Sequence, residues 1–600
     1  MTENTKKYIN IQKLKVFFLS FALSVATIIG CRMLTTEMLN FSRDLGYVVS
    51  FSLLFALLTV LWSNKKHLLL CVVFIGIYLL SSVVKRCTGM ILLEREITHT
   101  LGLAIILFSV VSLLQYMASF VKNKWFKYTL TTMVTVLCVL FLLPALIFLG
   151  YTAVNGGIFT SDIMLTLFQT NPEEVISYLQ DRNLWHWGIG SVLIIVLIVL
   201  YCKNFALLST NRFSVVCFLM TLLWCVYVSS CILYKLNLSP LINIVQSTKV
   251  TLEGFDEFKQ AQNERIARLK NLMRNGHLTA DNGVYVLVIG ESETKDHMGL
   301  YGYDRPTTPW LSEFAKSANT FVFENAYSNH THTVPTLTYA FSEKNQYNDI
   351  DLSVASSIIE AAEAAGYKTY WLSNQAKYGV IDTPITTMAS VSDVQHWLNV
   401  NSGDKIFTTY YDEKLTDKLP SMQEDDKMLI IVHLMGSHGD YRDRYPAEYS
   451  RFKGKSNKVD PYDNSVLYND YVLQTIYERV KNYPDFKAFV YFSDHGEDAD
   501  EALGHESSRF TYRMARIPLV VNVSEKFVEE REDAVENMRT NKSAYWTNDL
   551  LYDLMISLMN IKGLPNMEEK FDLLSNNYDL PREEVKLLHG QKNLQSEGKE

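Results

Sequence analysis

Side chains that could bind a metal ion follow two apolar runs in the second half of the sequence. Asp494 and His495 come directly after the run 489–493, and Glu291 follows the run 284–290. An adjacent carboxylate and imidazole at a strand end can direct oxygen and nitrogen donors at one cation, a mixture that Zn²⁺ accepts. An ordinary solvated turn is the alternative for Asp494-His495 taken alone. Glu291 at a comparable strand end favours a metal site.

Two further imidazoles lie near these positions in the sequence. His438 stands in a Gly-Ser-His-Gly segment after another apolar run, and His505 follows Gly504 downstream of the Asp-His pair. Their number and placement strengthen the prediction of a metal site.

The segment 328–342, SNHTHTVPTLTYAFS, contains many hydroxyls and imidazoles and no charged residue. A surface loop normally includes charge, so this composition indicates the lining of a site. Thr331 and Thr333 are both candidate nucleophiles, because a nearby divalent cation lowers the pKa of a hydroxyl. His330 and His332 could be ligands, proton carriers or hydrogen-bonded neighbours.

Short apolar runs rich in β-branched residues predict the strands that position these groups. They are 284–290, 369–373, 428–434, 489–493 and 518–521. Helical spacing between them predicts repeated βα units and therefore a mostly parallel, doubly wound sheet. Ligands of such sheets bind beyond the carboxyl ends of the strands, where the polar residues described above stand.

The two halves of the chain have different compositions. Residues 1–250 contain 19 Lys/Arg and 9 Asp/Glu, a net charge of +10; subtraction from the totals of 56 and 64 leaves 37 and 55, a net charge of −18, in residues 251–600. An apolar half joined to an acidic half excludes a cytosolic enzyme, a disordered chain and a coiled coil. The acidic second half also argues against a nucleic-acid partner, which requires clustered Lys and Arg.

The apolar half is predicted to cross a membrane. Stretches long enough for about 30 Å of hydrocarbon run near 14–35, 46–63, 67–84, 100–121, 129–151, 188–202 and 213–234. Loops rich in Lys and Arg alternate with others, which favours seven spans with the N-terminus inside and the loop 152–187 outside. Five spans with a re-entrant hairpin is the alternative, with the same orientation.

Four regions follow from these patterns. We predict a helical transmembrane domain over 1–235, an amphipathic juxtamembrane linker over 236–282, an outward α/β domain over 283–565 and a polar C-terminal tail over 566–600. The end of this tail, QKNLQSEGKE (591–600), is predicted to be disordered. The linker would lie on the bilayer surface or simply connect the domains. All eight cysteines lie in or beside the predicted spans, so the outward domain is expected to fold without disulfides.

A series of short motifs resembles one known family. The series is GES (290–292), LYGYDRPTTP (300–309), NHTHTVP (329–335), GSHG (436–439), RYP (444–446), YDNSVLYNDY (462–471), SDHGE (493–497) and GH (504–505). In this order it closely resembles the phosphoethanolamine transferases of the Gram-negative envelope, which are membrane members of the alkaline phosphatase and sulfatase superfamily. The resemblance covers residues 285–522 and touches TNPEEVISYL (170–179) in the outward loop.

The resemblance implies a role for each matching residue. Metal ligands would be Glu291, Thr331, Asp494 and His495. Thr331 would also be the nucleophile, preferred to Thr333 because it stands eleven residues before Ser342, as in relatives. His438 and His505 would bind substrate phosphate or a second zinc ion, and Arg444 would contact an anion or serve as an exposed structural arginine.

The resemblance also implies an activity. Phosphoethanolamine would pass from phosphatidylethanolamine, through a phosphothreonine, to lipopolysaccharide (core or lipid A) or another envelope glycan. Zn²⁺ would be the cofactor, with Mn²⁺ as the alternative, and the enzyme would be a multi-pass inner-membrane protein with a periplasmic catalytic domain. A phosphoglycerol transferase of the lipoteichoic-acid-synthase type and a non-catalytic headgroup-binding protein are the alternative functions.

This sequence departs from the family pattern in ways that concern the acceptor. Relatives that modify lipid A have disulfides in the soluble domain, whereas this domain has no cysteine. Asp440 follows GSHG where Pro is usual, and GESET replaces a GET-type sequence. Core sugars or another glycan are therefore as well supported as lipid A.

Overall fold

The structure is a computed structural model of the 600-residue chain. It describes residues 3–33, 41–61, 65–87, 96–169, 212–233, 239–376, 383–399, 410–421, 427–501 and 503–597, with the isolated positions 192, 195 and 196. The chain divides into two compact units, residues 1–164 with 180–249 and residues 165–179 with 250–600.

The first unit is helical in the residues that the structure describes. Its helices are Glu3–Met33, Phe41–Leu61, Lys65–Cys87, Glu96–Ser119, Lys124–Asn155, Ser161–Gln169 (which runs into the second unit), Arg212–Leu233 and Pro240–Gln260 (which also runs into the second unit). Three segments are long and apolar enough to cross a membrane: Ile11–Ile29, His99–Ser119 and Lys124–Asn155. Shorter apolar helices are Val48–Val60, Leu70–Lys85 and Phe218–Val228. Large apolar side chains such as Phe18 and Leu223 remain exposed on these helices, as lipid contact requires.

Six of the seven predicted spans coincide with helices. The predicted span 188–202 lies outside the described residues apart from isolated positions, as does the motif segment 170–179. The number of spans therefore stays a prediction.

The predicted linker forms two helices, Pro240–Gln260 and Gln262–Arg274. Phe258 and Leu269 are buried in the core of the α/β domain. Arg265, also buried, donates hydrogen bonds to both carboxylate oxygens of Glu360, at 3.0–3.2 Å. These contacts favour a connecting helix packed on the α/β domain over one that lies on the bilayer surface.

The second unit is built on a seven-stranded sheet, and the α/β prediction is confirmed. Its strands are β1 (Gly283–Gly290), β2 (Thr320–Val322), β4 (Lys368–Ala376), β5 (Val394–Asn399), β6 (Lys427–His433), β7 (Phe486–Ser493) and β8 (Leu519–Val523), and they lie in the order β2-β8-β7-β1-β6-β4-β5. The five strands from β7 to β5 are parallel, whereas β8 is antiparallel to both neighbours. All five predicted strands are present.

Helices and small sheets complete this unit. The helices are Pro309–Phe314, Thr333–Ala340, Ile358–Ala364, Pro384–Ala389, Val459–Val480, Glu525–Glu530, Glu532–Thr540 and Leu551–Leu558. The short strands β3 (Asn325–Tyr327) and β9 (Tyr545–Thr547) pair in parallel, and β10 (Lys586–Leu587) and β11 (Lys592–Asn593) form a hairpin.

Both faces of the sheet are covered, because alternate side chains of β1 enter two different cores. Tyr285, Leu287 and Ile289 pack in one core. Val284, Val286 and Val288 pack in the other. This explains why β1 is apolar at consecutive positions, as expected for a parallel strand buried on both faces.

The C-terminal tail 566–600 packs on the domain, so the prediction of disorder over 591–600 is wrong for residues 591–597, which the structure describes. Phe571, Val585, Leu587 and Leu594 are buried in the core beside the sheet. The segment looked polar because its few apolar residues are widely spaced, yet these residues face the domain core. Residues 598–600 lie outside the described residues.

Leu594→Ala tests this placement of the tail. We expect the free energy of unfolding to fall by about 2–5 kcal/mol, because a buried leucine leaves a cavity when truncated. Chemical unfolding of the purified full chain in detergent, followed by tryptophan fluorescence, measures the change. Gln591→Ala, at an exposed position of the same segment, is the matched control and should have no effect. Equal stability of the two variants would contradict the packed tail.

Candidate active site

Two adjacent parallel strands place Glu291 and Asp494 side by side. Gly290 at the end of β1 is in register with Ser493 at the end of β7. The Asp494 N–H donates a hydrogen bond to the Gly290 carbonyl at 3.0 Å, so the next residue of each strand reaches the same edge. The carboxyl edge of the sheet thus carries the predicted ligands.

Glu291, Asp494 and His495 form a buried cluster. One donor atom from each lies within 4.8 Å of the others. His495 Nε2 is 3.3 Å from Glu291 Oε1 and 3.4 Å from Asp494 Oδ2. His495 Nδ1 lies 3.0 Å from the Gly496 carbonyl, which orients the ring so that Nε2 faces the carboxylates.

The cluster fits a divalent cation. Asp494 Oδ2 is buried and has no hydrogen-bond partner among the described residues, although Oδ1 accepts from the Ser292 and His495 N–H groups at 3.1 and 2.7 Å. Burial and the neighbouring Glu291 carboxylate raise the pKa of Asp494 to about 8. Burial also raises the pKa of Glu291. The cluster thus offers two carboxylates, one of them with an oxygen that lacks a hydrogen-bond partner among the described residues, and an imidazole. Zinc accepts such a donor set.

The structure places Thr333, and not Thr331, in contact with this cluster. Thr333 Oγ1 donates a hydrogen bond to Glu291 Oε2 at 3.0 Å and lies 3.5 Å from His495 Nε2. Thr331 is buried, and its hydroxyl has no hydrogen-bond partner in the described part of the chain. The helix begins at Thr333, so its first turn directs that hydroxyl at the carboxylates. This contact favours Thr333 over Thr331, the threonine preferred from the sequence, and the identity of the nucleophile stays a prediction.

The threonine loop is held by residues that sequence reasoning missed. Asn329 donates hydrogen bonds to Asn548 Oδ1 at 2.8 Å through its backbone N–H and its side chain. Asn548 in turn donates to the Asp494 carbonyl at 2.6 Å, and His589 Nε2 lies 2.9 Å from Asn329 Oδ1. Asn548 and His589 are more than 200 residues from Asn329 along the chain and carried no sequence signal.

The two histidines of the threonine loop lie near other imidazoles. The His330 ring is 5.0 Å from the ring of His589, and the His332 ring is 5.5 Å from that of His505. His332 donates its backbone N–H to His330 Nδ1 at 3.3 Å. These contacts place both side chains as neighbours of the cluster, outside its group of close donor atoms.

His505 lies beside the cluster and is paired with a carboxylate. Its Nδ1 is 2.8 Å from Glu497 Oε2, and its ring centroid is 4.5 Å from that of His495. Burial lowers the pKa of His505, but Glu497 overcomes this effect and raises it to about 9. His495, Glu497 and His505 form a second group of close donor atoms.

The surroundings of His438 lower its pKa, whereas those of His505 raise it. Desolvation, Arg444 and His505 hold the pKa of His438 well below its usual range. Arg444 donates hydrogen bonds to the carbonyls of His438 and Gly439, both at 3.1 Å. Arg444 thereby braces the Gly-Ser-His-Gly loop, and its role as an anion contact stays a prediction.

Gly436 also positions the site, although its residue type gave no indication of this in the sequence. Its φ is +52°, and a Cβ atom there would lie 2.7 Å from the carbonyl oxygen and 2.8 Å from the backbone nitrogen of Glu291. The Ser437 N–H donates to that same carbonyl at 2.9 Å. The loop after β6 therefore packs directly on the backbone of Glu291, and only glycine fits.

This geometry agrees with comparisons to known proteins. Residues 284–561 match the sulfatase family, and the matched region contains every cluster residue named above. This part of the chain is therefore similar to a sulfatase-family domain. The region before residue 284 contains the helices that could cross a membrane.

Curated relatives of this chain are named as transferases. Phosphoethanolamine transferase EptC of Escherichia coli O18:K1:H7 is 29% identical over 427 residues, which cover 63% of this chain and 72% of the relative. Phosphoethanolamine transferase CptA of Salmonella typhimurium is 27% identical, with the same shares. These names support the prediction that the chain is an enzyme, a transferase.

One solved structure matches nearly the whole chain. It is the integral membrane protein lipooligosaccharide phosphoethanolamine transferase A of Neisseria meningitidis, with 16% identity, a TM-score of 0.50, and coverage of 94% of this chain and 97% of that one. At this identity the match concerns the fold, which is a helical membrane domain followed by a sulfatase-like domain.

Gly436→Ala tests whether the Gly-Ser-His-Gly loop positions the cluster. The added methyl group must displace the Glu291 backbone, so we expect zinc affinity to fall about 10- to 100-fold. Zinc content measured at buffered free-zinc concentrations shows the change. Gly439→Ala in the same loop is the control, since a Cβ atom there meets nothing within 4 Å. Equal zinc affinity of the two variants would contradict the proposed packing.

Proposed function

We propose that this enzyme transfers phosphoethanolamine from phosphatidylethanolamine to lipopolysaccharide or another envelope glycan, with Thr333 as the nucleophile. The observation that carries the proposal is the contact of the Thr333 hydroxyl with Glu291 and His495. A hydroxyl in contact with a carboxylate and an imidazole is the arrangement of an activated nucleophile. The names of the curated relatives support the phosphoethanolamine headgroup over phosphoglycerol.

Glu291, Asp494 and His495 are proposed to hold Zn²⁺. The imidazole nitrogen favours zinc over Mn²⁺, which prefers oxygen ligands. When bound, such an ion polarises a phosphoryl oxygen and lowers the pKa of a nearby hydroxyl. Thr333 replaces Thr331 as the proposed fourth protein ligand.

In the first half-reaction, Thr333 Oγ attacks phosphorus in line. An Oγ–P bond forms, the bond from phosphorus to the glycerol oxygen breaks, and the threonine proton ends on the departing diacylglycerol. Glu291 Oε2, which accepts the hydrogen bond from Thr333, is placed to receive that proton first. His505, paired with Glu497, brings a positive group next to His495 where the phosphoryl oxygens gain charge.

In the second half-reaction, an acceptor hydroxyl attacks the phosphothreonine. An acceptor O–P bond forms, the Oγ–P bond breaks, and the acceptor proton returns to Thr333. Two half-reactions at one threonine predict ping-pong kinetics. The half-buried His438 would contact the phosphoryl group as a hydrogen-bond partner.

The setting is proposed to be the inner membrane, with the catalytic domain in the periplasm and several helices in the bilayer. The donor is a bilayer lipid, so a membrane anchor keeps the enzyme beside it. The acceptor is proposed to be lipid A, a core sugar or another envelope glycan.

Paired valine substitutions distinguish the two threonines. Thr333→Val should lower the release of diacylglycerol from fluorescent phosphatidylethanolamine by about a thousandfold or more, because it removes the nucleophile. Thr331→Val keeps the shape of a buried side chain whose hydroxyl has no partner, so near wild-type activity is expected. Thin-layer chromatography of the lipid products measures both variants.

Mass spectrometry of the enzyme after exposure to the donor lipid locates the intermediate. We expect a phosphoethanolamine adduct on the peptide that contains Thr333 and none in the Thr333→Val variant. Loss of activity in Thr331→Val with retention in Thr333→Val would restore the original preference for Thr331.

Removal of the metal tests the cofactor. Dialysis against a chelator should abolish diacylglycerol release, and Zn²⁺ should restore it more effectively than Mn²⁺ because an imidazole is among the ligands. Better restoration by Mn²⁺ would contradict the zinc assignment.

A further inference from the structure

A basic segment stands out within the acidic half of the chain. Residues 442–458, RDRYPAEYSRFKGKSNK, contain 6 Lys/Arg and 2 Asp/Glu, a net charge of +4. The remainder of 251–600 then holds 31 basic and 53 acidic residues, a net charge of −22. A concentration of positive charge on such a surface focuses the field and attracts anions.

This segment forms one wall of a pocket of about 580 Å³. Arg442 and Lys453 supply charge to its lining, and Tyr411, Tyr445 and Phe452 supply aromatic surface. The volume is that of a site for a small molecule or for a sugar of a larger one. Among the described residues, neither Arg442 nor Lys453 has an ion-pair partner for its side chain.

Hydrogen bonds fix the pocket to the helix Val459–Val480. Asn464 Oδ1 accepts the N–H groups of Arg451 and Phe452 at 2.8 and 2.7 Å. Asp460 also lines the pocket, but it accepts the Gly454 N–H at 2.8 Å and pairs with Arg305 at 2.8 Å. Its negative charge is thereby compensated, and the wall is held in place before any ligand binds.

The same elements connect the pocket to the active site. Tyr441, next to Arg442, donates a hydrogen bond to Glu497, the partner of His505. Tyr462, next to Pro461 of the pocket, donates to the Ser292 carbonyl at 2.8 Å, directly after Glu291. The Tyr441 and Tyr462 rings lie 5.1 Å apart, so the two regions are separated by one layer of side chains.

We infer that this pocket binds an anionic sugar of the acceptor glycan, one that bears a phosphate or carboxylate group, during the second half-reaction. The inference rests on the proposed transferase function. Guanidinium and ammonium groups recognise phosphate and carboxylate oxygens, and aromatic rings pack against the C–H faces of sugars. The donor phosphate must reach Thr333 to react, and neither Thr333 nor any cluster residue lines the pocket, so we assign the pocket to the acceptor.

The test compares both half-reactions in the full chain, in detergent, for wild type, Arg442→Gln, Lys453→Gln and the double variant. Diacylglycerol release from fluorescent phosphatidylethanolamine reports the first half-reaction. Transfer to purified lipopolysaccharide reports the second. Lys316→Gln, whose side chain is 71% exposed in the turn after the helix Pro309–Phe314, removes one charge elsewhere and is the control.

We expect diacylglycerol release to be unchanged and the KM for lipopolysaccharide to rise about tenfold in each single variant, because a charge-assisted hydrogen bond is lost. Dephosphorylated lipopolysaccharide should show a smaller difference between wild type and variants if phosphate is the anion. If the difference between wild type and variants is the same with dephosphorylated lipopolysaccharide, the anion that the pocket binds is a carboxylate. An unchanged KM in the double variant overturns the inference, and so does a parallel loss of diacylglycerol release.

A binding measurement keeps this inference separate from the proposed function. Calorimetric titration of the full chain with the anionic core oligosaccharide released from lipopolysaccharide needs no turnover. Weaker binding by the double variant than by Lys316→Gln supports the pocket even if wild type releases no diacylglycerol. Equal binding by the two overturns it even if phosphoethanolamine transfer is confirmed.

Discussion

Two buried carboxylates at the ends of adjacent parallel strands are the constraint on which the site depends. Glu291 directly follows β1 and Asp494 directly follows β7, and these two strands are paired in register, so the sheet holds the two carboxylates close together. Both have raised pKa values because they are buried, and one oxygen of Asp494 has no hydrogen-bond partner in the described chain. A bound cation would offset this cost.

The rest of the site is organised around that pair. Gly436 packs against the backbone of Glu291, and Asn548 holds both the Asp494 carbonyl and the loop that leads to Thr333. His505 is directed by Glu497, which Tyr441 also contacts. The cluster, the threonine loop and the basic pocket are thus joined by hydrogen bonds through a few shared side chains.

Much of this could be predicted from the sequence, because strands buried on both faces are recognisable as continuous apolar runs. That pattern located β1, β4, β6, β7 and β8, and the polar residues at their ends gave Glu291, Asp494 and His495. The carboxyl ends of parallel strands share one edge, so the meeting of these side chains followed from topology alone.

Other features could not be predicted, each for a physical reason. The choice between Thr331 and Thr333 depends on where a helix begins, and that boundary is set by contacts with residues such as Asn548 that are distant in sequence. The C-terminal tail looked polar because its core-facing positions, such as Leu594, are few and widely spaced. Gly436 was missed because a close backbone approach leaves no compositional signal.

X-ray absorption at the zinc edge of the purified full chain tests the central claim most directly. The account predicts stoichiometric zinc with oxygen ligands and at least one imidazole at about 2.0–2.1 Å, and no sulfur scatterer. It also predicts that Asp494→Asn changes this coordination shell, whereas Thr331→Val leaves it intact. A sulfur-containing shell, or a zinc signal unaffected by Asp494→Asn, would contradict it.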